Sequence, residues 1–378
     1  MKNKNIYLDN HASTPIDKRA LISMEHFLKK NFGNPHSESH SHGWIANKYI
    51  EISREKIAKS LNVSKDEIFF TSGATESNNL ILKGLAFTQK KKNHLITCVT
   101  EHKCILESCK FLETLGCKIS YLKVNKFGEI NLNDLEKKIT KKTFLVSLMH
   151  VNNEIGTIHP IKRISEICKK KKVFFHSDLS QSIGKIETNI KDLKLDFASF
   201  SSHKIYGPQG IGGLFIKKNK NVKIMPIISG GGQEKGIRSG TLPTALCVGF
   251  GEAIRLIITE KNKNYKKIKK LKNIFIKILR EKKIRFKLNG RNSIDHNINI
   301  TFLGTKSDYL FSRLNNISVS SGSACGSGSG QSSYVLKEIG LNNLDAKCTI
   351  RIGIGNQNTE KELEYTAKKI SEILNNSK

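Results

Sequence analysis

Between about residues 18 and 216 the sequence alternates short apolar runs with amphipathic stretches of helical length. The apolar runs fit buried strands at residues 68–71, 95–99, 118–122, 144–148, 173–176, 197–200 and 213–216. Helical segments lie between several of them, at residues 77–87, 105–115 and 161–170. This order predicts an α/β domain with a mostly parallel sheet and crossover helices. In such domains ligands bind at the carboxyl ends of the strands.

A second pattern follows a Gly-rich passage at residues 229–232, a long predicted helix at 241–260 and a Lys-rich segment. Apolar runs at residues 298–302 and 349–354 and a final helix at 360–374 indicate a smaller α+β domain. A chain of 378 residues is long enough for two domains. We expect a large domain over residues 15–258 and a small one that combines residues 1–14 with 259–378.

The composition is strongly basic, with a formal net charge of +31. Such a charge suits a surface that binds nucleic acid or an acidic partner. The Lys-rich segments at 90–92, 169–172 and 261–272 contain Tyr265 as their only aromatic residue, so they offer no stacking platform for bases. We interpret the charge as lysines on solvated helix faces and expect no specific nucleic-acid binding, although a polyanion would be attracted weakly at low salt.

The eight cysteines form no Cys-x-x-Cys pair and show no spacing typical of metal ligands. The sequence has neither an apolar stretch long enough to span a membrane nor an N-terminal secretory signal. We therefore expect a cytoplasmic protein with reduced thiols, no membrane span and no intrinsic metal.

The strongest local signal is residues 199–208, with the sequence SFSSHKIYGP. A strand ends here, hydroxyls and an imidazole follow, and Lys204 precedes a Gly-Pro break. A lysine that forms a Schiff base needs a rigid support and neighbours that hold its aldehyde partner. Ser201 and His203 could bind a phosphate beside it. An ordinary surface lysine is the alternative.

Polar groups follow four other predicted strands as well. Asp178 ends one strand, where a carboxylate can pair with a protonated pyridine nitrogen, and Gln181 follows it. Thr75 lies where a strand passes into a helix, which suits a phosphate. His102 and Asn153 come after two further strands. Each residue alone could be a helix cap, but polar groups at five strand ends together predict a cofactor site.

Seven motifs run in order over nearly the whole chain: LDN at 8–10, FGNP at 32–35, TSGATES at 71–77, MHVNNEIG at 149–156, SSHKIYGP at 201–208, RSGTLP at 238–243 and SSGSAC at 320–325. With these motifs the chain resembles the cysteine desulfurases of the NifS/IscS branch, within the class V aminotransferase-like group of fold-type I pyridoxal-phosphate enzymes. The resemblance implies a large α/β/α domain that binds pyridoxal 5'-phosphate, and a smaller domain that carries Cys325 on a mobile loop.

The resemblance also implies the role of each site residue. Lys204 would hold the coenzyme as a Schiff base and act as a catalytic residue. The remaining cofactor contacts would come from Ala74, Thr75, Ser201 and His203 around the phosphate, Asn153 and Gln181 at the phenolic oxygen, Asp178 at the ring nitrogen, and His102, also catalytic, stacked on the ring. Thr241 would reach the phosphate in a neighbouring subunit, which implies a homodimer.

For the substrate, the resemblance implies that Asn34 and Arg351 hold the carboxylate of L-cysteine, Arg351 through its two-pronged guanidinium. Cys325 would attack the substrate sulfur and keep it as a persulfide, leaving alanine. The loop around it, residues 318–333, is nearly all Ser and Gly, which suits a nucleophile that must travel. Cys325 could also transiently ligate an iron–sulfur cluster.

The chain departs from the family pattern at its end and beside the cofactor. The chain ends at Lys378, soon after the last predicted helix, whereas family members extend further with a tail that helps to dock a scaffold protein. A sulfur acceptor such as an iron–sulfur scaffold protein is therefore expected but in doubt, and tRNA thiolation is another possible destination. Ser202, Leu179 and Ser180 replace residues more usual beside the cofactor, and we expect altered affinity. A selenocysteine lyase and a nucleic-acid-binding protein with a vestigial site are the alternative functions.

Overall fold

The computed structural model describes residues 5–89, 91–218, 222–304, 310–321 and 333–376. Cys325, with most of its Ser/Gly loop, lies outside the described residues. The strands of the described part are β1 (Ile6–Tyr7), β2 (Ile68–Thr71), β3 (His94–Cys98), β4 (Lys118–Leu122), β5 (Thr143–Ser147), β6 (Phe174–Asp178), β7 (Phe197–Ser201), β8 (Gly212–Ile216), β9 (Phe286–Leu288), β10 (Asn297–Phe302), β11 (Ile317–Ser318) and β12 (Thr349–Gly353).

The helices lie mostly between these strands. They are α1 (Lys18–Lys29), α2 (Ser41–Leu61), α3 (Ala74–Thr88), α4 (Lys103–Thr114), α5 (Leu132–Lys138), α6 (Ile161–Lys170), α7 (Ile190–Leu193), α8 (Thr244–Thr259), α9 (Lys261–Glu281), α10 (Tyr334–Glu338), α11 (Asn343–Lys347) and α12 (Glu360–Asn375). The alternation of β2 to β7 with α3 to α7 is the order that the sequence predicts.

The main sheet has the strand order β2-β8-β7-β6-β5-β3-β4. The pairs β4–β3, β3–β5, β5–β6 and β6–β7 are parallel. Strand β8 is antiparallel to both of its neighbours, β7 and β2. The sheet is therefore mostly parallel, and the expected α/β fold class is confirmed. Because β3, β5, β6 and β7 run in one direction, the loops after them meet at one edge.

Local sequence explains why the helices begin and which face they bury. Helix α6 buries Ile161, Ile164, Ser165 and Cys168, which recur at the three- and four-residue spacing of one helix face. Helix α12 starts in a capping box, in which Thr359 accepts from the Glu362 N–H and the Glu362 side chain accepts from the Thr359 N–H.

A second, antiparallel sheet has the order β12-β10-β9. Arg351 lies on β12, opposite Asn299 of β10. Strand β1 from the start of the chain pairs with β11. Ile6 and Leu8 belong to the same apolar cluster as residues from α9, β10, β12 and α12, whereas the main sheet has its own clusters on its two faces. The division into residues 15–258 and residues 1–14 with 259–378 stays a proposal.

No helix among the described residues is both long enough and apolar enough to cross a bilayer.

Candidate active site

A cavity of about 470 Å³ opens at the edge of the main sheet where the parallel strands end. Its volume lies in the range of small-molecule sites. Its lining comes from the loops after β2, β3, β5, β6 and β7, from the segment before α1 and from β12. The residues named by the sequence that line it are Ala74, Thr75, His102, Asn153, Asp178, Gln181, Ser201, His203, Lys204 and Arg351.

One end of the cavity is the start of α3. Gly73 is the N-cap, has a φ of 157° and makes no side-chain capping bond, so the first N–H groups of the helix are left for another acceptor. Ala74 and Thr75 follow and line the cavity. A Cβ atom on Gly212 would lie 2.5 Å from the Gly73 Cα atom, so β8 packs directly under this turn. The helix N-terminus favours an anion.

Ser201 and His203 also line the cavity, and a Cβ atom on Gly73 would lie 3.7 Å from the Ser201 Oγ atom. The Ser201 Oγ and His203 Nδ1 atoms are 3.0 Å apart. Burial, and then the charges of Lys204 and Lys185, together lower the pKa of His203 to about 4. A bound anion would oppose this and favour the charged imidazole.

Asp178 lies at the end of β6 and is 9 % exposed. Its Oδ2 atom accepts from the Asn78 amide at 2.8 Å, and its Oδ1 atom accepts from the Ser180 N–H at 2.8 Å. The two donors hold the carboxylate plane in place at the cavity wall. A fixed carboxylate here can accept a proton-bearing nitrogen of a bound ring.

His102 is the N-cap of α4, and the hydrogen bond that it accepts as the cap determines its tautomer. Its Nδ1 atom accepts from the Cys104 N–H at 3.3 Å and lies 3.1 Å from the Cys104 Sγ atom. Burial lowers the pKa of His102, with Asp178 acting in the opposite direction. A neutral ring whose Nδ1 accepts a hydrogen bond must carry its proton on Nε2. His102 therefore presents an N–H donor.

Lys204 lies in a short helical turn directly after β7. Its Nζ atom donates to the carbonyl oxygens of His11 and Ala12, each at 2.7 Å. The same His11 carbonyl accepts from Gln181 Nε2 at 2.9 Å. The segment before α1 thus joins Lys204 to the loop after β6.

Arg351 is almost fully buried and reaches the cavity from β12. Its Nη1 atom donates to the Asn153 carbonyl oxygen at 2.9 Å, and its Nη2 atom donates to Asp9 Oδ1 at 2.7 Å. Two buried polar atoms, Arg351 Nε and Asn153 Oδ1, have no hydrogen-bond partner among the described residues. Arg351 therefore keeps donors for a further anionic ligand.

The structure brings together most, but not all, of the predicted site. Asn34 and Thr241 are exposed and are absent from the described lining of the cavity. The Asn34 side chain instead accepts from the His36 N–H at 3.0 Å. Their roles, like that of Cys325, stay predictions.

Several residues near the cavity were not singled out by the sequence. They are Asp9, which holds Arg351, His11 and Ala12, whose carbonyls accept from Lys204, Cys104, which contacts His102, and Lys185, which contacts Gln181. The LDN motif at 8–10 was a signal for the first of these. The sequence gave no such signal for Cys104, because nothing in its local sequence distinguishes it from the other cysteines.

The comparisons with known proteins agree on one family. A model of the aminotransferase class-V family matches residues 6–366. The cysteine desulfurase IscS of Rickettsia typhi is 46 % identical over 368 residues, which cover 97 % of this chain and 90 % of that protein. The cysteine desulfurase IscS of Rickettsia prowazekii is 47 % identical over 363 residues, 95 % of this chain and 88 % of that protein.

Solved structures give the same result. A NifS-like protein matches with a TM-score of 0.91 and 39 % identity, covering 98 % of this chain and 99 % of that one. SspA in complex with cysteine matches with a TM-score of 0.83 and 38 % identity, covering 94 % of this chain and all of that one. The chain therefore belongs to the aminotransferase class-V family and, within it, to the cysteine desulfurases.

Proposed function

We propose that this chain uses pyridoxal 5'-phosphate to remove sulfur from L-cysteine, giving L-alanine and a persulfide on Cys325. The observation that carries the proposal is the position of Lys204. This lysine follows β7 directly and shares one cavity with Asp178 and His102. An amine, a fixed carboxylate and an imidazole at neighbouring strand ends suit a pyridine aldehyde.

The described residues fit this coenzyme at both of its ends. The start of α3 offers uncapped N–H groups to a phosphate. Asp178, which lines the same cavity, is held by two donors and can receive a pyridine N–H. Asn153 Oδ1 and Ser180 Oγ, which belong to residues lining the cavity, are buried and have no described partner, which leaves polar capacity for a ligand. A polar ligand of this size and charge pattern would satisfy them.

When bound, pyridoxal phosphate supplies an aldehyde that condenses with an amine and a ring that delocalises the electron pair left at the substrate Cα. Lys204 Nζ would provide the protein amine, and as a free amine beside the bound substrate it could remove the Cα proton. Asp178 would keep a proton on the ring nitrogen. His102 can donate from Nε2, because its Nδ1 atom is occupied by the α4 cap.

Substrate binding depends on Arg351. Its guanidinium is held by Asp9 and by the Asn153 carbonyl oxygen, so its remaining donors have a fixed direction. A planar fork of this kind matches the substrate carboxylate, and we propose Asn34 as its second contact. A fixed carboxylate directs the substrate amine and sulfur into the cavity.

Cys325 completes the reaction as the nucleophile. Its thiolate attacks the sulfur of the bound cysteine, a sulfur–sulfur bond forms and the carbon–sulfur bond breaks. The electron pair of the broken bond stays on the substrate carbon, which is then protonated. L-cysteine and the Cys325 thiol thus become L-alanine and the Cys325 persulfide, and no external oxidant is consumed.

The test of the cofactor site is borohydride reduction followed by peptide mapping. The coenzyme should become fixed to the peptide that contains Lys204, and Lys204→Ala should lose both this label and the yellow colour. Lys217→Ala, at an exposed lysine after β8, is the matched control and should keep both. A label on another lysine would overturn the proposed site.

The test of the nucleophile is Cys325→Ala. Alanine release from cysteine and persulfide labelling should both be lost, while the bound coenzyme keeps its visible absorption. Cys117→Ala changes a partly exposed thiol outside the described lining of the cavity and should behave as the wild type. Full sulfide production by Cys325→Ala would rule out the persulfide route.

We propose a homodimer as the functional unit, since α1 and α2 carry several exposed apolar residues. Phe27 and Tyr49 bring the two helices together, with ring centroids 4.7 Å apart. The exposed apolar residues on and between them are Leu21, Ile22, Leu28, Phe32, Trp44, Tyr49 and Ile52. Exposed apolar residues grouped on two neighbouring helices are typical of an interface. Ile22→Glu combined with Trp44→Glu should lower the mass measured by light scattering to that of one chain. An unchanged dimer mass would place the interface elsewhere.

A protein acceptor for the persulfide sulfur, such as an iron–sulfur scaffold protein, and a cytoplasmic location complete the proposal. Both follow from the family likeness. Transfer can be measured by loading the enzyme with radioactive sulfur from cysteine and adding a purified scaffold protein. The label should move to the scaffold in the wild type and not in Cys325→Ala.

A further inference from the structure

Lys185 is a buried lysine that the reaction outlined above does not use. It lies in the turn after β6, four residues beyond Gln181, and is 7 % exposed. Its Nζ atom donates to Gln181 Oε1 at 2.5 Å. Lysines are rarely buried in proteins unless a partner holds them, and here the partner is an amide that lines the cofactor cavity.

The groups around Lys185 are themselves basic. The charges that act on it are those of Lys204 and Arg351, and Lys185 in turn acts on the imidazoles of His11 and His296. Burial, and then these two cations, lower the pKa of Lys185 well below its ordinary value. The neutral amine form is therefore more favoured than in an exposed lysine, and in either protonation state the side chain can donate a hydrogen bond to Gln181.

The contact with Lys185 determines which way the Gln181 amide points. With Oε1 accepting from Lys185, Nε2 donates to the His11 carbonyl oxygen at 2.9 Å. A flipped amide would place its oxygen against that carbonyl oxygen, which already accepts from Lys204 at 2.7 Å. Both oxygens are acceptors and neither carries a hydrogen to donate, so the flipped amide would lose this hydrogen bond. The second N–H of Nε2 is therefore left for the cavity.

We propose that Lys185 is a positioning residue that fixes the Gln181 amide so that an N–H, and not the carbonyl, faces the phenolic oxygen of the bound coenzyme. This inference rests on the proposed function. An N–H donor favours the deprotonated oxygen, whereas an amide oxygen at that place would favour the protonated one. Lys185 therefore acts on the coenzyme through Gln181 and needs no contact with it.

The inference can be tested by titration, because removing Lys185 should shift the pH midpoint at which the bound coenzyme changes its visible absorption. Without the lysine the amide can rotate, the donor is lost part of the time, and the proton on the coenzyme is held more tightly. Lys185→Met should raise the midpoint of this spectral titration by roughly one pH unit, about the effect of one net hydrogen bond. The loaded wild type is titrated first. A wild type without visible absorption would contradict the proposed function and not this inference.

A double-mutant cycle separates a positioning role from a purely electrostatic one. Gln181→Ala should raise the midpoint by itself, and adding Lys185→Met to it should give no further shift. The matched control is Lys267→Met, a partly buried lysine of α9 that donates to the Asn356 carbonyl oxygen at 2.5 Å. It should leave the midpoint unchanged.

Two results would overturn the inference. One is an unchanged midpoint in Lys185→Met, and the other is an equal shift with and without the Gln181 side chain. Circular dichroism of the coenzyme-free variants reports folding. If Lys185→Met does not fold, Lys185→Leu takes its place in the same cycle and is judged by the same two results.

Discussion

Asp9 and Arg351 form a buried ion pair across 342 residues of sequence, with Arg351 Nη2 and Asp9 Oδ1 2.7 Å apart. The arginine side chain is 2 % exposed and that of the aspartate 18 % exposed. The pair joins the segment before α1 to β12 at the point where we propose that the substrate carboxylate binds. Asp9 therefore determines how the arginine is presented, through a hydrogen bond, through its charge, or through both.

Two substitutions at Asp9 distinguish these effects. Asp9→Asn keeps an oxygen for Arg351 Nη2, and we expect the KM for cysteine to stay within about threefold of the wild type. Asp9→Ala removes the acceptor, and KM should rise about tenfold or more, the loss of a hydrogen bond to a charged group. Because neither residue takes part in proton transfer, kcat should change less than KM in both. Equal effects of the two substitutions would show that charge, and not direction, is what Asp9 supplies.

A second buried pair, Arg54 and Glu234, holds the segment that leads to Thr241. The guanidinium donates to both carboxylate oxygens, at 2.7 and 2.9 Å, and the Phe70 N–H donates to Glu234 at 2.6 Å. Glu234 has a φ of 50°. Breaking one partner of a buried pair costs about 3–5 kcal/mol. Glu234→Gln should lower the free energy of unfolding by about that amount.

Urea unfolding measures this loss. The control is Glu129→Gln, which removes the partner of the largely exposed Arg291 and should cost less than about 1 kcal/mol. If Glu234→Gln costs no more than this control, the pair does not hold the segment.

The main sheet could be predicted well because its signal is local. Residues 118–122 and 68–71 are strands with the predicted bounds, and the predicted strand at 173–176 is Phe174–Asp178 in the structure. A buried parallel strand consists of consecutive apolar residues, so composition within a short window is enough to find it. The polar residues at the strand ends follow from the same pattern.

The contacts behind the site could not be predicted in this way. The Asp9–Arg351 pair links the two ends of the sequence, and no local pattern reports such a separation. Lys185 was one lysine among many in a chain with 64 Lys and Arg residues, and lysine is usually exposed. Its burial depends on the packing of the turn after β6 against the segment before α1. Only the folded structure shows that packing.

The buried histidines predict the pH dependence of stability. His159 is 1 % exposed, both of its ring nitrogens lack a partner among the described residues, and burial lowers its pKa to about 4. The unfolded chain therefore binds a proton near pH 6.5 that the folded protein does not bind until about pH 4. The stability due to the neutral ring is fully present above pH 6.5. As the pH decreases from 6.5 to about 4, the free energy of unfolding falls by up to about 1.4 kcal/mol per pH unit.

His159→Leu tests this slope. The apolar side chain removes one titrating group, so the free energy of unfolding in urea should fall less steeply between pH 6.5 and about 4 than in the wild type. His36→Leu, at an exposed histidine, is the control and should leave the slope unchanged. Parallel slopes for wild type and His159→Leu would mean that the ring takes up its proton over the same pH range in the folded and unfolded states.

His102 has two roles in the structure, and a pair of substitutions separates them. Its Nδ1 atom caps α4, and its Nε2 side is available to the cavity. Asn is a good N-cap residue, so His102→Asn should keep the cap and lose the ring, whereas His102→Ala loses both. We expect both variants to lose cysteine turnover by about 100-fold or more, the range for a general acid–base residue. Only His102→Ala should also lose about 1 kcal/mol of stability in urea, the contribution of a cap. Full turnover by His102→Asn would limit the histidine to capping α4. Equal stabilities of the two variants would instead mean that the Cys104 N–H contact contributes little to the helix. The cap would then no longer explain why the proton of His102 lies on Nε2.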